Sequence, residues 1–146
     1  MTLDVVGLLA TLACALFAGA AVYINLVEHP ARLSCGTEAA ARQWAPSYRR
    51  ATVMQASLAV VAALAGLARW LGGGGAAWGI GALAIAAVVP FTLLVIARTN
   101  RRLLEPGRDL GSPETRDLLV AWGRLHAVRS VLSVVGTVAY LMALVR

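Results

Sequence analysis

Trp122-Gly123-Arg124-Leu125-His126-Ala127-Val128-Arg129 is the stretch on which the fold of this chain turns. It is followed by an uncharged run, residues 130–145, and then Arg146. At ~1.5 Å per residue that run makes about 24 Å of helix, short of a hydrocarbon core of ~30 Å. A membrane-crossing helix built on it therefore draws the quoted residues to the edge of the core or just inside it. Trp122, His126 and Arg129 fall at i, i+4 and i+7 and share one helix face, while Arg124 points the opposite way. Ionisable side chains at membrane depth are expensive and mark function, with a partner nearby.

The remaining sequence has the composition of an integral membrane protein. Of 146 residues, 60% are hydrophobic and 14% charged, and the mean hydropathy is +0.76. A soluble core of this size does not need so much apolar surface. The length fits one domain, 1–146. Three further apolar runs precede the quoted stretch: 5–27, bounded by Asp4 and Glu28; 51–68, between Arg50 and Arg69; and 76–97, after Gly72-Gly73-Gly74-Gly75 and before Arg98. Each reaches or approaches the ~20 residues needed to cross. The expected fold is all-α: an integral membrane four-helix antiparallel bundle with spans at about 5–27, 50–69, 76–98 and 118–144. The first run lacks a basic leader, so it reads as a retained helix and not a signal peptide.

The connections carry punctuation. His29-Pro30 is expected to close the first helix. Thr37, as cap, and Glu38 start a short helix through Arg42, and Pro46 opens the second span. The four glycines form a tight turn. Ser112-Pro113-Glu114 starts the fourth helix well outside the core, and Pro90 bends the third. Cys14 and Cys35 sit at different depths, so no disulfide is expected.

All thirteen basic residues are arginine. Arg32, Arg42, Arg49 and Arg50 lie between spans one and two. Arg98, Arg101, Arg102, Arg108, Arg116 and Arg124 lie between spans three and four. The other side has only Arg69 and Arg146. By the positive-inside rule both long connections are cytoplasmic and both termini lie on the non-cytoplasmic side, as a multi-pass protein of a bacterial inner membrane. This placement accounts for the formal charge of +6 without a nucleic-acid partner.

In that topology polar residues from all four helices meet under one leaflet. Span one brings Asn25, Glu28 and His29. Span two brings Tyr48, Thr52 and Gln55, again at i, i+4 and i+7. Span three brings Thr92 and Asn100, and span four Trp122, His126 and Arg129. Convergent polar groups in an apolar bundle are the usual form of a small-molecule pocket. Other roles stand beside this one. Arg129 can snorkel to headgroups or pair with Glu28, His126 and His29 can be structural hydrogen-bonders, and Trp44 and Trp70 can belong to an aromatic belt. His29, His126 and Glu28 have the composition of a two-histidine, one-carboxylate metal set, and two histidines can ligate haem. Their spacing is not diagnostic, there is no HExxH or CxxC, and no metal or cofactor is assigned. The glycine run lacks the lysine of a phosphate loop.

In order and spacing these residues resemble the anthrone oxygenase-like family of small four-helix membrane proteins. The resemblance rests on the glycine-containing first helix ending in His29-Pro30-Ala31, on residues 44–50, on Pro90-Phe91-Thr92 with Asn100 and Leu103, and on Trp122-x-x-x-His126-x-x-Arg129. It implies fungal and bacterial relatives that oxidise anthrones to anthraquinones with dioxygen and without metal or flavin. On that basis His126 is the candidate base, and Arg129 and Asn100 hold the developing oxyanion. Trp122 and Tyr48 wall the substrate ring, with Gln55, Asn25, His29 and Thr92 as further binding residues. The partners implied are a hydrophobic aromatic or quinol-type substrate, dioxygen and the lipid bilayer. A non-enzymatic subunit stabilising a larger complex, a homo-oligomer and a haem or metal protein remain open alternatives.

Overall fold

A computed structural model describes residues 4–145. Four long helices account for most of them: α1 (Val5–Ser34), α2 (Thr37–Leu71), α3 (Ala76–Leu103) and α4 (Pro113–Leu144). All four are long and apolar enough to cross a membrane, and no strand occurs among the described residues. At 28 to 35 residues they measure about 42–52 Å, so their ends project beyond a ~30 Å core. Arg146, one of the few charges assigned to the opposite side, lies outside the described residues. The helices form a closed ring in which α1 packs on α2 and α4, and α3 packs on the same two. Sequential neighbours run antiparallel, as their short connections require.

The start signals act locally as their chemistry dictates. Ser112 Oγ accepts a hydrogen bond from the Thr115 amide at 3.2 Å, with Pro113 in the first turn. Asp4 Oδ1 caps α1 through the Gly7 amide at 2.9 Å. Gly73 and Gly75 turn the chain between α2 and α3 with φ of +85° and +93°, values that favour glycine.

Three boundaries differ from those expected. His29-Pro30 does not end α1, which continues to Ser34. Just before Pro30 the helix widens into a π-turn, Ile24–Glu28, with the His29 amide bonded to Ile24 O. The extra residue lets the helix run on past a proline that has no amide to donate. The segment from Thr37 is not a separate short helix but the first turns of the 35-residue α2, with Pro46 inside it and Gly36, not Thr37, at the cap. Trp44 and Gln55, on either side of Pro46, are both buried, so packing carries the helix through the proline. Pro90 is followed by a second π-turn, Thr92–Ile96.

Away from the polar end the helices meet through small residues. Ala10, Ala13, Cys14, Ala59 and Ala62 pack with Phe17, Trp78 and Tyr140. Small side chains allow the close backbone approach that membrane helices rely on. Tyr140 lies across this layer and donates to Ala62 O at 2.8 Å. A Cβ on Gly66 or Gly81 would overlap the Tyr140 ring. Gly81→Ala should therefore destabilise the bundle by about 1–3 kcal/mol, read as a lowered thermal midpoint in detergent and relieved in part by trimming Tyr140 to leucine. The same end is closed by an Asp4–Arg69 ion pair at 2.6 Å, with the Arg69 guanidinium 5.5 Å from the Trp78 ring centroid.

Candidate functional site

The polar end of the bundle contains a cavity of about 180 Å³. Its polar lining comes from one stripe of α2 (Tyr48, Thr52 and Gln55), from Thr92 and Asn100 of α3, and from Arg129 of α4. Phe17, Ala59 and Val88 are among its apolar walls. The second π-turn begins at Thr92 and ends one turn before Asn100, and a widened turn of this kind is common at functional sites. Phe17, which had no place in the sequence-derived set, contributes the α1 side, with its ring centroid 5.4 Å from the Arg129 guanidinium carbon. Its signal was only that of an apolar residue in an apolar helix.

Arg129 does not pair with Glu28. It donates from Nη2 to Gln55 Oε1 at 2.6 Å. Glu28 is taken up by Arg32, Gln43 and Ser47. Among the described residues no carboxylate forms an ion pair with Arg129. Asn100 Nδ2 donates to the Tyr48 hydroxyl at 3.2 Å, and Tyr48 is stacked on Trp44 at 5.0 Å and 7°. Arg129 Nε, Gln55 Nε2 and Asn100 Oδ1 are buried and have no hydrogen-bond partner among the described residues. Three orphaned polar atoms on side chains that line one cavity are unusual in a folded protein, where such groups are almost always satisfied.

The other sequence-predicted residues stand behind this cavity. Trp122 and His126 line a second, smaller void of about 20 Å³, shared with Arg129, Gln55, Tyr48 and Thr52. The main cavity and this annex therefore touch through four common side chains. The Trp122 ring packs between His126 at 4.8 Å and His29 at 5.1 Å and meets Trp44 edge-on at 5.8 Å. His29 lines neither space. Its Nε2 is 2.8 Å from Leu119 O, a position open to it because residue 123 is glycine: a Cβ there would lie 2.6 Å from His29 Cδ2. Asn25 also lines neither space. It bonds to Gly123 O, His126 and Ser130. Among the described residues, no three His, Cys, Asp or Glu side chains gather as a metal site would require.

A ring of four apolar helices with a polar cavity toward one end defines a polytopic membrane protein. The chain belongs to the anthrone oxygenase family, whose model matches residues 44–139. Among curated proteins it is similar to the anthrone oxygenase tpcL of Aspergillus fumigatus, at 35% identity over 135 residues, covering 84% of this chain and 83% of that protein. No solved structure matches it. Family membership supports an oxygenase-type activity on a small molecule.

Proposed function

We propose that this protein oxidises a hydrophobic hydroxyanthrone, or a closely related phenolic ring system, to the corresponding quinone with dioxygen. The observation that carries this reading is Arg129, a part-buried cation whose hydrogen-bond partner among the described residues is the neutral Gln55 amide. A largely desolvated charge without a counter-charge is costly. It is accounted for if an anionic oxygen completes the site during turnover.

The lining suits such a guest. Arg129 Nε–H, the Gln55 amide N–H groups and the Tyr48 hydroxyl are donors for an enolate or phenolate oxygen. Asn100 Oδ1 is an acceptor for a second, protonated hydroxyl. Phe17, Ala59 and Val88 offer apolar faces to a flat ring. The volume is below the ~300 Å³ of common ligand pockets. The cavity is open on the side of Thr52, Ala56, Val89 and Leu93, which are exposed, so a tricyclic ligand can extend through that mouth.

The chemistry asks little of the protein. A base removes one proton from the methylene carbon opposite the anthrone carbonyl. The resulting carbanion is delocalised onto the carbonyl oxygen, where the donors stabilise it most. This electron-rich anion supplies the electrons that reduce dioxygen, forming a carbon–oxygen bond and, after protonation, a hydroperoxide. Loss of water gives the new carbonyl. One oxygen atom ends in the product and the other in water, together with both methylene hydrogens. His126 is the base, acting through one water, for which the 20 Å³ annex has room. In this reading the polar end faces the cytoplasm of a bacterial cell, because the arginine-rich connections lie there.

The test is direct. Purified protein in lipid nanodiscs should accelerate oxygen uptake with 1,8-dihydroxyanthrone over the spontaneous rate, with one anthraquinone formed per dioxygen consumed. No acceleration across a panel of hydroxyanthrones and hydroquinones would remove this reading and favour a non-enzymatic membrane subunit.

A further inference from the structure

The groups around His126 carry more information than their proximity. Asn25, in the first π-turn, donates from Nδ2 to Gly123 O at 2.9 Å. A backbone carbonyl can only accept, so this bond fixes which way the Asn25 amide faces. Its Oδ1 must then face the other two partners, Ser130 Oγ at 2.6 Å and His126 Nδ1 at 2.8 Å. An amide oxygen can only accept as well. His126 Nδ1 must therefore carry a proton and donate it. Among the described residues Nε2 has no hydrogen-bond partner, and His126 lines the annex shared with Arg129 and Gln55.

We infer that Asn25 is a positioning residue: it holds His126 as a neutral imidazole protonated on Nδ1 and leaves the Nε2 lone pair free as the proton acceptor on the cavity side. The chain of constraint runs from the α4 backbone carbonyl through the α1 amide to the ring. A neutral tether suits this task. A carboxylate in the same place would favour the imidazolium, which cannot accept a proton. The π-turn belongs to the same device, because it sets the register at which Asn25 meets α4. The catalytic meaning of this arrangement rests on the proposed oxidation; the tautomer itself does not.

The chain has two histidines, so ¹⁵N-histidine labelling in nanodiscs gives an assignable spectrum, with His29→Gln identifying the His126 signals. Wild-type protein near neutral pH should show one protonated and one unprotonated ring nitrogen for His126, with couplings to the ring protons placing the lone pair on Nε2. In Asn25→Asp, which keeps an acceptor for Nδ1–H, the neutral form of the ring should again carry its proton on Nδ1. In Asn25→Leu the ring should redistribute toward the Nε2–H form, and turnover should fall about 10²-fold with little change in KM. A wild-type ring protonated on Nε2, or on both nitrogens, overturns the inference whatever the variants do. So does an Asn25→Leu protein that keeps the wild-type tautomer and rate. If the tautomer is as stated but no hydroxyanthrone is oxidised, the proposed reaction fails and the assignment of the ring stands.

Discussion

His126→Gln should lower the enzyme-dependent rate of hydroxyanthrone oxidation by about 10²–10⁴-fold, the range over which a positioned general base contributes. Glutamine is the informative replacement because it is close to histidine in size. Its amide can still donate to Asn25 Oδ1 and fill the space beside Trp122, so the packing of α1 on α4 is retained. What it lacks is a lone pair basic enough to take a proton from carbon. Initial rates of oxygen uptake, corrected for spontaneous oxidation, measure the effect. KM should change little, because His126 lines the annex and not the main cavity. A rate within threefold of wild type would take His126 out of the chemistry.

Arg129→Met should produce two effects of opposite sign. Turnover should fall about 10²–10³-fold, as on removing a donor that stabilises a developing oxyanion. Binding of a hydroxyanthraquinone, followed by quenching of tryptophan fluorescence, should weaken with it. Thermal stability of the unliganded protein should hold or rise. Among the described residues Arg129 has no carboxylate partner, so its replacement strands no opposite charge, and methionine removes the desolvation cost of a part-buried cation. An arginine retained for packing would behave the other way, with stability falling and activity following it. Arg129→Lys should not restore turnover, since a point ammonium cannot present Nε–H to the cavity while holding Gln55. A midpoint lowered by several degrees in Arg129→Met, with normal turnover in the remaining folded protein, would remove the ligand role.

How far these features could be read from the sequence differed with the physics behind each. Four apolar runs bounded by charge define four helices, because length and hydropathy alone decide what can cross a bilayer. The α2 stripe of Tyr48, Thr52 and Gln55 was legible because that part of the helix keeps regular periodicity, and all three residues line the cavity. Arg129 and Asn100 line it too, since an arginine and an asparagine in apolar helices have few other places to go. Asn25, His29 and Trp122 share the polar end but turn away from the main cavity. No spacing rule separates a residue that lines a cavity from one that tethers its neighbour. That distinction depends on the π-turn at Ile24–Glu28, which shifts the face Asn25 presents, and on Gly123, which admits His29. Proline misled in the same way. Pro30 and Pro46 look like boundaries by local sterics, yet both lie inside helices that the surrounding bundle holds together.

On the proposed reading, the mouth between α2 and α3 would set how the substrate is supplied. Leu93, 66% exposed, stands at that mouth on an apolar helix, so with the helices placed across a bilayer the entrance would look sideways into hydrocarbon. A ligand arriving there diffuses in two dimensions, and the quantity that sets saturation is its mole fraction among the lipids. If the protein acts as proposed, tricyclic phenols that partition strongly into membranes would be gathered at that door. Polar conjugates of the same ring, held in solution, would be turned away before any side chain touches them.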